Sequence, residues 1–174
     1  MLVRDLNLLF VHIPKTGGQS ISSYIFKYMD IPLDFNNHNK FLLFKNLDLE
    51  NPGPQVMAHL SANEYMKYKF IKQDEFDNIT KITAVRNPYD RFLSAFNYNK
   101  KRLRCKNPEM LISNFPTNKN SDIHRHFMPQ HEFIFHNDIC LVDHIFKTEK
   151  LNKFQKWFDK TYKFKSNFEK INVT

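Results

Sequence analysis

Residues 8–25, LLFVHIPKTGGQSISSYI, join an apolar run to a helical pattern through a turn that holds two of the chain's three glycines. The longer run LNLLFVHI at 6–13, closed by Pro14 and then the glycines, has the length and boundaries of a buried strand. Ile21, Tyr24, Ile25, Tyr28 and Met29 follow at helical spacing. A strand running through a glycine turn into a helix buries both elements against one sheet, which points to an α/β fold.

The same grammar recurs. KITAVRN at 81–87 alternates as a strand, Asn87 suits an N-cap, and Pro88 suits the first helical position. Tyr89, Phe92, Leu93, Phe96 and Leu103 then supply a core-facing stripe for a helix ending near residue 104. QVMAH at 55–59 reads as a short strand, and Ser61 with Glu64 forms a capping box for a helix through Tyr68. LVDHIFK at 141–147 reads as a last strand, followed by a helix over about 150–162 carried by Leu151, Phe154, Trp157 and Phe158. Residues 30–54 form a long irregular connection with a helical turn at KFLLFKNL, and 105–140 are loop-rich around a short helix near 121–128. The alternation predicts one domain over 1–174, a three-layer α/β fold with a central parallel sheet flanked by helices. Its functional turns then lie at the C-terminal ends of the strands.

Composition narrows the class. An apolar content of 41%, with 18 Phe and 7 Tyr, supports a packed core and argues against disorder. Cys105 and Cys140 match no zinc or redox spacing and read as free thiols of a reducing compartment. No signal core and no membrane-length apolar stretch is present, so a cytoplasmic chain is expected. A net charge of +8 attracts anions, without choosing between a phosphorylated small molecule, an acidic glycan, nucleic acid and a membrane surface.

The turns carry the chemistry. A glycine turn between strand and helix offers backbone N–H groups and the helix dipole to an anion, typically phosphate. In PKTGGQS, Lys15 adds a mobile positive charge, Thr16 and Ser20 add hydroxyls, and Gly17 and Gly18 allow close backbone approach. It is not the NTPase loop, because Lys15 precedes the glycines and no G-x-x-x-x-G-K-[ST] match exists. A nucleotide kinase-like reading is thereby disfavoured. In VRNPYDRFLSAF, Arg86 ends a strand where a guanidinium can fork onto a phosphate, and Ser94 lies two turns into the following helix. Arg86 can alternatively pair with Asp90, and Ser94 with its own helix. Two anion sites on adjacent strand ends suit a nucleotide phosphorylated at two positions.

FVHIPKTGGQS and AVRNPYDRFLSAF together resemble the sulfotransferase family, in the branch that includes carbohydrate sulfotransferases such as the heparan and chondroitin enzymes. AHLSANEY, FMPQHEFIF and VDHIFKTEKL resemble further segments, so the likeness spans about residues 7–160. It implies a P-loop-like fold and sulfuryl transfer from 3′-phosphoadenosine 5′-phosphosulfate (PAPS), with 3′-phosphoadenosine 5′-phosphate (PAP) as product. By the same likeness Lys15, Thr16, Gly17, Gly18, Gln19 and Ser20 hold the 5′-phosphosulfate, and Arg86 and Ser94 hold the 3′-phosphate. Gln19 stands where the family usually has Thr, which removes a hydroxyl. The implied partner is a carbohydrate or other hydroxyl-bearing acceptor, with no nucleic acid expected; oligomeric state stays open.

Sulfuryl transfer is an in-line displacement, in which Lys15 stabilises charge on the departing oxygen and a base removes the acceptor's proton. No metal is required in this scheme. Histidine titrates ordinarily near 6.5, in the useful range, and His59 is the expected base, as the comparable family segment carries a catalytic histidine. Glu64 is the alternative base and competes with its own capping role. His12 reads as structural, orienting the turn through its ring N–H. His124, His126, His131 and His136 match no zinc spacing and read as a solvated loop with acceptor-binding duty, to which Arg125 and Gln130 also belong, so no metal ligands are expected. KKRLR at 100–104 reads as the solvated end of a basic helix, and Trp157 as core. The competing function is a non-catalytic glycan or nucleic-acid binder on a degenerate sulfotransferase fold.

Overall fold

The computed structural model describes residues 1–32, 40–43, 53–54, 56–113 and 115–164. In chain order these give β1 (Leu2–Val3), β2 (Leu8–Val11), α1 (Gly18–Tyr28), α2 (Ala62–Lys67), α3 (Gln73–Asn78), β3 (Thr80–Val85), α4 (Pro88–Leu103), α5 (Pro108–Ser113), α6 (Asp122–Phe127), β4 (Phe135–His136), β5 (Ile139–Cys140), β6 (His144–Lys147) and α7 (Leu151–Tyr162). Short 3₁₀ turns occupy Arg4–Leu6, Met57–His59, Gln130–Phe133 and Thr148–Lys150.

The central sheet has the order β1-β2-β3-β6, with β2, β3 and β6 parallel and the short β1 antiparallel to β2. Phe10 pairs with Ile82 and Val11 with Thr83, while Val85 pairs with Lys147. This register brings the turns that follow β2, β3 and β6 to one edge of the sheet.

Strand alternation explains how both faces are covered. From β2, Leu8 and Phe10 pack into a cluster with Ile21, Ile25, Phe154 and Phe158 of α1 and α7, whereas Leu9 and Val11 pack with Leu60, Tyr65, Phe76 and Phe133 on the other face. Ile82 and Ala84 of β3 repeat the first pattern. Trp157 packs against the first cluster, as its helical spacing predicts.

Two expectations change, and a third lies mostly outside the described residues. QVMAH is not a strand: Val56 makes an isolated bridge and Met57–His59 turn as a 3₁₀ helix, with Gln55 outside the described residues. The sheet is mixed and not purely parallel, because β1, a strand the sequence did not signal, runs antiparallel to β2. The helical turn expected at 40–47 is described only at its start, where Lys40 is helical, and its remainder lies outside the described residues. The capping box holds, with Glu64 Oε2 accepting from the Ser61 N–H at 2.8 Å. The Asn87 cap also holds, its Oδ1 accepting from the N–H groups of Tyr89 and Asp90. Among the described residues no helix is long and apolar enough to cross a membrane.

Candidate active site

The glycine turn is strained where it must be. Lys15 at φ 68° and Gly17 at φ 82° both take left-handed backbone, and Gly17 caps α1 without contributing a side chain. Gly18 and Ser20, both buried, and the exposed Gln19 form the first turn of α1. Thr16 is fully buried and its hydroxyl donates to Ile13 O at 2.8 Å. That hydroxyl therefore holds the turn closed and is not presented to an anion. Gly18 also has a different reason from close ligand approach. A Cβ there would lie 1.9 Å from His12 Nε2, so the glycine makes room for the imidazole beneath the turn.

The second turn lies alongside. Arg86 Nη1 stands 3.5 Å from Lys15 O, and the Lys15 ammonium is depressed below its ordinary value by burial and then by repulsion from Arg86. Gln130 fixes Arg86 by accepting from its N–H at 2.9 Å and donating to its carbonyl at 2.8 Å. Gln130 is thus engaged with the Arg86 backbone while it also lines the cleft beside α4. Ser94 is half-buried on α4.

Two ties between these turns escaped sequence reasoning. The Thr148 hydroxyl lies 2.7 Å from Thr16 O and 3.1 Å from Val85 O, shared between the loop after β2 and the end of β3. Arg91, buried on the first turns of α4, donates from Nε to Pro14 O at 2.9 Å and from Nη1 to Met128 O at 2.9 Å. Burial brings the Arg91 pKa down to about 10, so it remains a cation at neutral pH. Both residues lie in segments that carry the family resemblance, Arg91 in AVRNPYDRFLSAF and Thr148 in VDHIFKTEKL, but nothing local assigned either a role.

His59 lies beside the loop, in the 3₁₀ turn and not at a strand end. Its ring meets His12 edge-on at 5.2 Å between centroids and His126 at 5.1 Å. His126 stacks on Tyr98 at 5.1 Å, and the Lys15 Nζ sits 4.4 Å from the centre of the Tyr98 ring. His59 Nδ1 is 2.9 Å from Asp122 Oδ1, and Arg102 Nη1 donates to Asp122 Oδ2 at 3.2 Å. Burial works to raise the Asp122 pKa, but His59, His126 and Arg102 overcome it and hold the carboxyl well below the usual carboxylate range. Burial, and next the proximity of His59, bring His126 down to about 4. His12 is lowered well below its ordinary value, first by burial and then by His59, and its Nδ1 is buried with no hydrogen-bond partner among the described residues. The ring-N–H role expected for His12 is therefore replaced by packing under Gly18.

Glu64 is no longer a candidate base. Arg125 donates to both its oxygens, at 2.6 and 2.8 Å, and also to His59 O at 2.7 Å. Burial would raise Glu64, yet the Arg125 bonds and charge hold it below its ordinary value, so it stays ionised and engaged. Arg125 is buried in this ion pair, away from any acceptor role. Arg102 is exposed, as expected of a solvated helix end, and also donates to Asp122.

The other histidines separate. His124 Nδ1 bonds Pro116 O at 2.7 Å, and His136 is exposed on β4. His131 and His126 line a cleft of about 370 Å³ together with Phe92, Phe127 and Pro129. So His126 was placed in a solvated loop by its sequence context but is buried against His59.

The family model described as the sulfotransferase family matches residues 1–171. No curated protein and no solved structure matches the chain.

Proposed function

Because the chain belongs to the sulfotransferase family, we propose that it transfers a sulfuryl group from PAPS to a hydroxyl of a carbohydrate or glycan-like acceptor by in-line displacement, releasing PAP. The observation that carries this reading is the pairing of Lys15 and Arg86 at neighbouring strand ends. These are two like charges whose repulsion a bound polyanion relieves. A doubly phosphorylated donor fits such a cradle, and a P-loop-like, three-layer single domain over 1–174 acting in a reducing compartment accommodates it.

When bound, the donor supplies an activated sulfuryl group and a phosphate leaving group. In this reading Lys15 and the backbone of residues 16–20 hold the 5′-phosphosulfate, while Arg86 and Ser94 hold the 3′-phosphate. Lys15 leaves its rest on Tyr98 and neutralises charge developing on the leaving oxygen.

His59 takes the acceptor's proton. An ionised carboxylate only accepts hydrogen bonds, so Asp122 requires the proton of neutral His59 to sit on Nδ1, which leaves the Nε2 lone pair available. Asp122 is thus a positioning residue, itself oriented by Arg102. The cleft bordered by Phe92, Phe127 and His131 suits a sugar, with aromatic faces for its C–H groups and imidazole for its hydroxyls.

Calorimetric titration with PAP tests the reading. Micromolar binding weakened by about tenfold or more in Lys15→Ala and in Arg86→Ala is expected, each loss removing a charge-assisted contact. Absence of binding, or binding indifferent to both substitutions, refutes the donor site. Once an acceptor is found, His59→Ala should bind PAP and lose turnover; unchanged turnover removes His59 from the mechanism.

A further inference from the structure

We propose that His59, Asp122 and His126 form a zinc site, and that Zn²⁺ bound there switches off the proton acceptor. The site stands on geometry alone; its inhibitory consequence rests on the sulfotransferase reading above. One ligand atom from each of the three residues lies within 4.8 Å of the other two. From Asp122 Oδ1, His59 Nδ1 is 2.9 Å away and His126 Nδ1 is 3.6 Å away. Ligand atoms about 2.0–2.1 Å from a tetrahedral zinc stand about 3.3 Å apart, so these two edges straddle the required value. Two imidazoles and one carboxylate are a donor set that suits zinc, with a fourth position left for water.

The surroundings agree with a metal that enters occasionally instead of a permanent structural ion. The three side chains are only 12%, 11% and 5% exposed, which shields a bound ion, and the cleft lined by His126 supplies an approach. Arg102 donates to Oδ2 of Asp122, and Oδ1 is the oxygen nearest both imidazoles. Lys15 and Arg102 oppose a dication, which sets the expected affinity in the micromolar range instead of the far tighter range of structural zinc.

Coordination changes the tautomers without changing the proton count. His59 Nδ1 gives its lone pair to zinc, and the ring's single proton moves to Nε2. His126 does the same, exchanging its 2.8 Å bond to the Asp122 carbonyl for a metal bond. The Nε2 lone pair that would receive the acceptor's proton then no longer exists. Zinc therefore blocks the base while leaving the phosphate-binding turns intact.

Titration of the full chain with ZnCl₂ by calorimetry tests this directly. One micromolar site is expected, weakened by about 100-fold in His126→Gln and in Asp122→Asn. No binding to the wild type, or binding unaltered in both variants, overturns the site. If either variant fails to fold, the wild type decides through Co²⁺ substitution. Tetrahedral visible absorption without a thiolate charge-transfer band supports His59, Asp122 and His126, whereas a thiolate band assigns the metal to Cys105 or Cys140 and overturns the proposal. PAP titration of the same protein separates the two readings. PAP binding without zinc binding sinks only the metal site, and zinc binding without PAP binding sinks only the donor site.

Discussion

Gly18→Ala is the sharpest probe of how the loop is built. Gly18 has ordinary helical backbone, unlike Gly17, so its substitution tests space and not backbone strain. The new methyl would stand 1.9 Å from His12 Nε2, 2.0 Å from Cδ2 and 2.6 Å from Cε1. Since ordinary contact begins at 3.4 Å, the whole ring must recede by about 1.5 Å. It has little freedom to do so, with Phe10 stacked at 5.5 Å and His59 edge-on at 5.2 Å. Overpacking of this kind costs about 1–3 kcal/mol. For a chain of 174 residues, a 2 kcal/mol loss lowers Tm by about 4–8 °C. Thermal denaturation followed by circular dichroism measures it, best within a double-mutant cycle with His12→Ala. In the His12→Ala background the methyl meets no ring, so Gly18→Ala should become neutral or stabilising by up to about 1 kcal/mol, the helix preference of Ala over Gly. Equal losses in both backgrounds would refute the packing argument and return Gly18 to ligand approach alone.

Three further outcomes follow from other contacts. Glu64→Gln leaves the buried Arg125 guanidinium without its counter-charge and should cost about 3–5 kcal/mol in urea unfolding at pH 7. Because the folded pKa of Glu64 lies below its unfolded value of about 4.3, its contribution is complete above that pH and is lost as pH falls through the folded value; the wild type should lose stability more steeply than the variant on acidification, and parallel acid profiles would contradict this. Thr148→Val removes the donor shared by Thr16 O and Val85 O, costing about 1–2 kcal/mol and weakening PAP binding by calorimetry, whereas unchanged PAP affinity would show that the two turns hold their spacing without it. Asp122→Asn should lower kcat with little change in PAP affinity, since it disturbs only the tautomer of His59; a fall in PAP affinity with kcat intact would assign Asp122 to the loop instead.

Legibility followed the range of the interactions. Strand β2, strand β3, the Asn87–Pro88 start of α4 and the Ser61–Glu64 capping box are set within a few residues, and periodicity with capping chemistry found each of them. QVMAH carried the same local strand signal but is not among the strands of the sheet. The long edges of β2 and β3 are taken by β1, by each other and by β6, which arrives from residues 144–147. That competition is invisible in a five-residue window. The site divides in the same way. Lys15 and Arg86 stand in motifs that announce anion binding, while Asp122 reaches His59 across 63 positions and Thr148 reaches Thr16 across 132.

The histidines show what such long-range packing adds to the chemistry. His12 supports the glycine turn from below and touches His59, and His59 touches His126, whose ring carries Tyr98 and so the resting place of Lys15. The proposed base therefore lies inside a packed row whose two ends, His12 under Gly18 and Tyr98 under Lys15, both meet the glycine turn. Under the proposed function, an anion that draws Lys15 from Tyr98 would act on the same stack that holds His59. The Asp122 carboxylate holds the His59 ring, and Arg102 holds the carboxylate. The Asp122 carbonyl also meets His126 Nδ1 at 2.8 Å, so one residue ties two rings of the row together and holds the geometry on which the proposed proton transfer depends.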